Sequence, residues 1–358
     1  MQDSLASKFR DLVSGKRRGV GATVARGALR LAEVPYSLAV RWRNRQFDSG
    51  GRPVERVGVP VISIGNITLG GTGKTPMVEW VCRRLRGRDI RVTIVSRGYK
   101  AEDGGANDEA LELEQKLPDV PHVQNPDRVA AAQMAIEEFE CQAIVLDDAF
   151  QHRRIARDLD IVLLDSQEPF GFEHVFPRGT LREPLHGLAR ADVIVLTRAD
   201  MLVPDDRAGV QTRVARLAPL AVWAECVHKP VALVSSTGEE TPLDAVRGQR
   251  VGAFCGIGNP AGFRHTLASC GYEVSLFREF PDHHPYVRSD LMSLAEWARQ
   301  AEVAAVLCTQ KDLVKIGLDR LGDKPLYAVR VGLEFLSGQS DLELKLSEVV
   351  SAKWQEAG

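Results

Sequence analysis

The sequence predicts a mixed α/β fold built on parallel sheets and divided into two domains. Short apolar runs typical of buried parallel strands alternate with stretches of helical spacing. The apolar runs are 59–64, 91–96, 142–146, 161–164 and 193–196, and the clearest helical stretches between them are 75–85 and 127–139. A second set of such elements begins near Arg250. This alternation is typical of a parallel sheet covered by helices on both faces.

The second set predicts a smaller α/β domain. Its strands are expected at 251–255, 272–277 and 304–308, and its helices at 260–269 and 289–302. The polar run 235–240 favours a domain boundary between about 220 and 245.

Length and composition fit an average soluble protein. The 358 residues suffice for two domains, with an apolar share of 44% and a charged share of 26%. A net charge of −2 gives no electrostatic footprint for nucleic acid, so no nucleic-acid partner is expected. The six cysteines form no C-x-x-C pair, and we expect reduced, mostly buried thiols rather than a metal cage.

The first 48 residues differ from the rest in charge. They contain ten basic and four acidic side chains, a charge of +6, while the remainder carries −8. No stretch here approaches the roughly 20 apolar residues of a membrane-spanning helix. The segment also lacks the compact apolar core and cleavage site of a signal peptide.

Residues 20–34 are predicted to form an amphipathic helix that Pro35 ends or kinks. One face carries Val20, Val24, Ala28 and Leu31, and the other carries Arg26, Arg30 and Glu33. A second short amphipathic piece places Leu38 and Trp42 beside Arg41 and Arg45. These features suit a helix lying in the plane of a membrane. From the pattern alone, a helix packed on the body with solvated cations is equally open.

The strongest motif is a glycine-rich loop at 65–76, which follows a predicted strand and opens a predicted helix. Its central residues are Gly70, Gly71, Thr72, Gly73, Lys74 and Thr75. Backbone N–H groups in such a loop surround phosphate oxygens. Lys74 is expected to reach the β- and γ-phosphates of ATP, and the Thr75 hydroxyl to bind Mg²⁺. Thr68 stands where the usual pattern has glycine.

A second motif, the apolar run 143–146 followed by Asp147 and Asp148, fits the strand that holds Mg²⁺ in P-loop proteins. One aspartate is expected to bind the metal directly or through water. A helix N-cap would explain only one of the two. Together the motifs predict a P-loop NTPase-like α/β/α domain.

With both motifs in place, the sequence resembles the tetraacyldisaccharide 4'-kinase family, the lipid A 4'-kinases. The resemblance lies in the blocks 63–76, 96–99, 147–152, 181–185, 280–286 and 309–312, and it spans roughly residues 35–315. The combination of D-D-x-F-Q-H with D-H-H is more specific than the loop, which many NTPases share.

The resemblance implies phosphorylation of the 4'-hydroxyl of a tetraacylated glucosamine disaccharide in lipid A biosynthesis, with ATP and Mg²⁺. It implies a membrane-associating segment (1–48), a P-loop kinase domain (49–225) and a smaller α/β domain (226–358) that closes the active-site cleft. The implied partners are the acylated disaccharide lipid and an anionic membrane surface, with no obligate protein partner evident. The resemblance also implies peripheral (monotopic) attachment at the cytoplasmic face of the inner membrane. It therefore favours a first helix that lies in the membrane plane over one that packs on the body.

Two departures from the family pattern concern glycines. Ala149 replaces the glycine of D-D-G-F-Q-H, which would be strained by about 1 kcal/mol if that position needs a positive φ. Asn107 replaces the glycine before Asp108, and asparagine tolerates left-handed geometry better than most residues.

The resemblance also suggests catalytic residues. His283 would accept the proton of the attacking hydroxyl, Asp108 would fix its tautomer, and His284 is the alternative base. A capped turn with solvated imidazoles would also explain Asp282–Pro285.

The remaining site predictions concern charged and polar residues around the phosphates. Arg128, at a helix start, is predicted to stabilise charge on the transferring phosphoryl group, although a solvated arginine is the alternative. Arg182 and Glu183 are expected to organise the γ-phosphate or the metal, and Gln151 and His152 to contact nucleotide or acceptor. Lys311–Asp312 resembles a base-reading motif.

Two other classes are compatible with the loop. A P-loop regulatory switch or metallochaperone NTPase would need neither the Asp108–His283 pair nor a lipid. A soluble P-loop ligase would need no membrane segment.

Overall fold

The computed structural model describes the backbone of residues 5–98 and 108–357 and the side chains of residues 8–98 and 110–353. The α-helices are α1 (Leu5–Val13), α2 (Val20–Asp48), α3 (Lys74–Arg86), α4 (Asp108–Lys116), α5 (Arg128–Phe139), α6 (Pro204–Leu217), α7 (Pro260–Ser269), α8 (Arg288–Gln300), α9 (Gln310–Ile316) and α10 (Gln339–Ala357). The strands are β1 (Val61–Asn66), β2 (Val92–Ser96), β3 (His122–Gln124), β4 (Ala143–Asp147), β5 (Leu159–Asp165), β6 (Val193–Thr197), β7 (Val222–Val234), β8 (Glu240–Thr241), β9 (Arg250–Cys255), β10 (Glu273–Glu279), β11 (Ala305–Thr309), β12 (Arg320–Leu321) and β13 (Lys324–Ser337).

The predicted N-terminal amphipathic region is one long helix. Pro35 lies inside α2 and does not end it, and the predicted second amphipathic piece is the C-terminal half of the same helix. The helix tolerates the lost backbone hydrogen bond because buried residues on both sides of the proline, among them Glu33 and Val40, hold it. Among the described residues, no helix is long and apolar enough to cross a membrane.

The first compact unit comprises the described parts of residues 1–98, 119–227 and 335–358. Its strands pair in the order β7–β6–β5–β1–β4–β2–β3, and all these pairs are parallel. Every residue of β1, β2, β4 and β6 is buried, which is why these strands read as continuous apolar runs. Ile64 of β1 pairs with Asp147 of β4, so the phosphate loop and the aspartate pair leave the sheet side by side.

The second unit comprises the described parts of residues 99–118 and 228–334. Its parallel strands follow the order β10–β9–β11–β13. Apolar side chains of these strands and of α7 and α8 form its core, including Phe254, Phe263, Leu294 and Leu307. Helix α4 lies against α9.

The units differ from the predicted domains in two places. The described residues 335–357 belong to the first unit, because α10 packs there through Arg84 Nε–Glu343 Oε1 at 3.3 Å and Arg88 Nη1–Ser347 Oγ at 2.7 Å. The described residues 108–118 belong to the second unit. The predicted boundary region also contains the 13-residue strand β7, whose uneven burial gives no apolar run in the sequence.

All six cysteines are buried free thiols, as predicted. Burial raises the pKa of Cys82 well above its ordinary value, and the same holds for Cys255. These thiols therefore pack as apolar groups.

Candidate active site

The phosphate loop connects β1 to α3, as predicted. β1 ends at Asn66, and α3 begins at Lys74 directly after Gly73, whose φ is 86°. Gly70 also has a positive φ, of 120°. Glycine adopts these angles without the steric cost of a Cβ atom. A glycine backbone leading into a helix start is suited to binding phosphate.

Side chains from neighbouring strands hold this loop. Asn66 Nδ2 donates to Thr72 Oγ1 at 3.0 Å, and Thr197 Oγ1 donates to Thr72 O at 2.9 Å. Arg198 Nη1 donates to Gly71 O at 3.1 Å. The protein itself therefore fixes the shape of the loop, which is the preorganisation that phosphate transfer requires.

Thr68 is tolerated at the usual glycine position because the backbone is extended there. It forms an antiparallel bridge with Leu181, and Leu69 N donates to Thr180 O at 2.7 Å. An extended residue needs no positive φ, so a threonine fits.

The turn after β4 gathers opposite charges beside the loop. Asp147 is buried at the end of β4. Both carboxylate oxygens of Asp148 accept from Arg182 Nη1, at 2.8 and 2.9 Å, and Lys74 Nζ lies 3.6 Å from Asp148 Oδ1. Burial alone would raise the pKa of Asp148, but Lys74 and Arg182 outweigh it and lower the pKa. Asp148 is therefore ionised at neutral pH.

The strain considered for Ala149 does not arise. The left-handed residue of this turn is Asp148, with a φ of 50°, and Ala149 is not among the residues with positive φ. Aspartate is one of the residues that tolerate this region. A glycine is needed instead at Gly65, where an added Cβ would lie 2.7 Å from Phe150 Cβ.

Arg182 belongs to a segment that runs along the loop. Its backbone N–H donates to Ile67 O at 2.7 Å, and its Nε donates to Thr68 O at 3.1 Å. The guanidinium is thus held between the loop and Asp148.

Glu183 is fully buried and surrounded by donors. Arg190 Nη2 donates to both of its oxygens at 2.9 Å, Asn44 Nδ2 donates to Oε2 at 2.9 Å, and Gln151 Nε2 donates to Oε1 at 3.0 Å. Gln151 Nε2 also donates to Asn66 O at 2.8 Å. Because three side chains already engage the carboxylate, the structure favours a supporting role for Glu183 over the predicted metal-ligand role.

Arg128 begins α5 after its N-cap Asp127, and its side chain is buried. Burial, reinforced by Arg97, lowers the pKa of Arg128, while Asp147 and Asp148 act in the opposite direction. The alternative of a solvated surface arginine is therefore wrong. Among the described residues, the buried Arg128 Nε has no hydrogen-bond partner.

His152 is a partly buried imidazole whose charge state Arg128 influences. Burial, with Arg128 as the next cause, lowers its pKa to about 4. The imidazole is therefore neutral at physiological pH.

The donors near the loop fit Mg²⁺. The described residues contain no group of three His, Cys, Asp or Glu side chains arranged to hold a metal. Mg²⁺ in phosphate sites is typically bound by one or two carboxylates together with phosphates and waters. Asp147 and the Thr75 hydroxyl at the start of α3 provide this donor set, whereas Asp148 is engaged by Arg182 and Lys74.

In the second unit, His283 lies in a turn with a φ of 60°. Lys311 Nζ is 3.3 Å from His283 Nε2 and 3.5 Å from Asp282 Oδ1. His284 is engaged differently, because its Nε2 lies 2.8 Å from Asp290 Oδ2 and its ring stacks on a phenylalanine, Phe280.

The resemblance of Lys311–Asp312 to a base-reading motif is not supported. Asp312 is fully buried and accepts from Tyr286 Oη at 2.9 Å, Gly256 N at 3.0 Å and the Thr309 hydroxyl at 2.6 Å. These bonds tie Asp312 into the fold.

Asp108 begins α4, and its side chain lies outside the described residues. Asn107 and Tyr99 also lie outside them. The predicted contact between Asp108 and His283 therefore stays a prediction.

The fold and the loop define a P-loop nucleotide-binding α/β protein. Comparisons with known proteins identify the family. The sequence model of the tetraacyldisaccharide-1-P 4'-kinases, LpxK, matches residues 25–351. Tetraacyldisaccharide 4'-kinase of Anaeromyxobacter sp. (strain K) is 40% identical over 356 residues, covering 94% of this chain and 94% of the relative. That of Desulfatibacillum aliphaticivorans is 38% identical, covering 91% and 93%.

A solved structure agrees. The crystal structure of LpxK from Aquifex aeolicus in complex with ATP is 28% identical, with a TM-score of 0.72, and the match covers 91% of this chain and 99% of that one. The chain therefore belongs to the tetraacyldisaccharide 4'-kinase family, and it is an ATP-dependent kinase. The predicted fold class and family are confirmed, and the regulatory-switch alternative gains no support.

Sequence reasoning missed Asn44 and Arg190, which both contact Glu183. A signal for Asn44 exists. Asn44 shares the helical spacing of one face of α2 with three other residues. All four are buried: Glu33, Val40, Asn44 and Phe47.

Proposed function

We propose that this chain transfers the γ-phosphate of ATP to the 4'-hydroxyl of a tetraacylated glucosamine disaccharide, in lipid A biosynthesis, at the cytoplasmic face of the inner membrane. The observation that carries the proposal is the phosphate loop with Lys74, Asp148 and Arg182 gathered beside it, in a chain of this family.

The first unit binds and polarises the nucleotide. The loop backbone surrounds the phosphates, and Lys74, now paired with Asp148, lies where it can contact the β- and γ-phosphates. Arg182 and Arg128 neutralise charge that develops on the transferring group. Asp147 and Thr75 would hold Mg²⁺, which would supply positive charge to offset that of the phosphates.

His283 is the proposed base. A sugar hydroxyl needs a positioned acceptor for its proton. His283 Nε2 lies 3.3 Å from Lys311 Nζ, and its side chain is one-third exposed, so an acceptor hydroxyl can reach the ring. Asp290 holds His284 in a capped turn, so His283 is the better candidate. Asp108 would orient His283, as the family resemblance implies.

Helix α2 docks the enzyme on the lipid surface. The apolar face predicted from the sequence points to solvent, since Val20, Leu31 and Trp42 are 83%, 76% and 60% exposed. The helix also packs on the body, as the alternative expected, but through a different face that includes Glu33, Val40, Asn44 and Phe47. Arg41 and Arg45 are exposed on the same helix, and each basic residue near an anionic surface contributes on the order of 1 kcal/mol.

A phosphotransfer assay tests the reaction. Purified protein is incubated with γ-labelled ATP, Mg²⁺ and the disaccharide lipid in mixed micelles, and labelled lipid is measured. We expect transfer by the wild type and by Lys345→Ala, a lysine on the surface of α10. Lys74→Ala should reduce kcat by about 10³-fold or more. ATP hydrolysis without lipid labelling would refute the kinase proposal.

Vesicle sedimentation tests the docking. Leu31→Ser should weaken binding to anionic vesicles, whereas Leu344→Ser, at a comparably exposed leucine on α10, should not. Added salt should release part of the bound protein, because screening weakens the contribution of the arginines. Equal binding by both variants would contradict docking through α2.

A further inference from the structure

Side chains of α2 bond to residues 175–183 of the first unit. Glu33 Oε1 accepts from Val175 N at 3.0 Å, and Tyr36 Oη donates to Arg182 O at 3.2 Å. Two turns further along the helix, Asn44 Nδ2 donates to Glu183 Oε2 at 2.9 Å. A helix that served only as an anchor would need none of these bonds to the segment carrying Arg182.

The Asn44 bond is the first link of a buried chain that leads to the phosphate loop. Glu183 Oε1 accepts from Gln151 Nε2, which also donates to the backbone carbonyl of Asn66. Asn66 Nδ2 in turn donates to Thr72 Oγ1 within the loop. Asn44, Glu183, Asn66 and Thr72 are all buried.

Asn44 is itself held in a defined orientation. Its Oδ1 accepts from Arg43 Nη2 at 3.4 Å, and its backbone carbonyl accepts from Arg153 Nη1 at 3.0 Å. The amide nitrogen therefore faces Glu183. A buried carboxylate keeps one geometry only when its oxygens are matched by donors, and Asn44 is one of three side chains that donate to this one.

We propose that Asn44 is a positioning residue for phosphoryl transfer: its amide fixes the Glu183 carboxylate, which holds Gln151 against the phosphate loop. The inference rests on the proposed kinase function. It assigns α2 two separate tasks, with an exposed face for the lipid surface and a buried face that completes the support of the loop.

The test compares Asn44→Ala with Val40→Ala in the full-length chain. Val40 lies one turn before Asn44 on the same buried face, and its side chain has no polar atom, so its truncation loosens helix packing without removing a bond to Glu183. We expect Asn44→Ala to lower kcat about 10-fold or more, the loss typical of a hydrogen bond to a charged group. Its vesicle binding and KM for lipid should stay at wild-type values. Val40→Ala should lower the melting temperature and leave kcat within about twofold of wild type.

A second variant provides a readout that a structural role would not move. Asn44→Asp places a second carboxylate against Glu183, and two facing carboxylates share a proton more readily as the pH falls. The ratio of the Asn44→Asp kcat to the wild-type kcat should therefore rise from pH 8 to pH 6. The same ratio for Asn44→Ala should not change with pH. The comparison of Asn44→Asp with wild type can be made even if Asn44→Ala is too unstable to assay.

The outcomes separate the two proposals. Wild type without lipid phosphorylation would refute the proposed function. An active wild type with Asn44→Ala at the same kcat would overturn the positioning role, as would an equal kcat loss in Val40→Ala or a pH-independent ratio for Asn44→Asp.

Discussion

The phosphate loop and the turn around His283 are built in different ways. The loop is fixed by buried polar side chains and backbone bonds, such as Asn66 to Thr72 and Thr197 to Thr72. His283 lies in a short turn with its side chain one-third exposed, next to Lys311 and Asp282. Phosphate binding therefore depends on many side chains that hold the loop together. The proton acceptor is a single side chain that can be replaced without disturbing that scaffold.

The largest loss of kcat is expected from a substitution beside the phosphate loop. Asp147→Asn keeps the size of the side chain but removes its charge, so Mg²⁺ binding and charge neutralisation are lost together. We expect kcat to fall by about 10³-fold, the equivalent of several kcal/mol of transition-state stabilisation. Initial rates over a range of Mg²⁺ concentrations measure this.

Asp192→Asn is the matched control for this change. Asp192 accepts a backbone hydrogen bond from Asp160 N, beside the start of β6, and has no role in the proposed site. Activity of Asp147→Asn within tenfold of wild type would contradict the assignment.

The base should be separable from nucleotide binding. His283→Ala is expected to lower kcat about 10²- to 10⁴-fold, the range for general-base catalysis, with little change in ATP affinity. His284→Ala should cost less activity and more stability, because it removes the bond to Asp290 and the stacking on Phe280. Single-turnover rates and ATP-binding titrations distinguish the two. The reverse pattern would make His284 the base.

Acid should destabilise the first unit. Burial lowers the pKa of His122 to about 4, from an ordinary value of 6.5. The pKa of His122 is lower in the folded state than in the unfolded state, so protonation favours unfolding. The free energy of unfolding is therefore at its full value above pH 6.5 and decreases as the pH falls toward 4. For His122 this amounts to about 3 kcal/mol. His122→Gln should therefore flatten the dependence of the urea midpoint on pH between 7 and 4, and an unchanged slope would refute the assignment.

Local patterns predicted the positions of the phosphate loop and of the Asp147–Asp148 turn. The loop and the Asp147–Asp148 turn each directly follow an apolar strand. The apolar run that predicts the strand and the polar residues that serve the site therefore lie within a dozen residues of one another. β7 and β13 were missed because their residues are unevenly buried and give no clear period. The Asn44–Glu183 bond joins residues 139 positions apart, and no local pattern encodes such a contact.

The smallest effect concerns Ala149, where the sequence departs from its family. Since Asp148 has the positive φ and Ala149 is buried in the core of the first unit, alanine is not strained there. Ala149→Gly should therefore bring no gain. It should reduce the free energy of unfolding by up to about 1 kcal/mol, through the greater backbone entropy of glycine and a lost methyl contact. Chemical denaturation of both proteins measures this. A stabilised Ala149→Gly variant would mean that the left-handed requirement lies at position 149 rather than at Asp148.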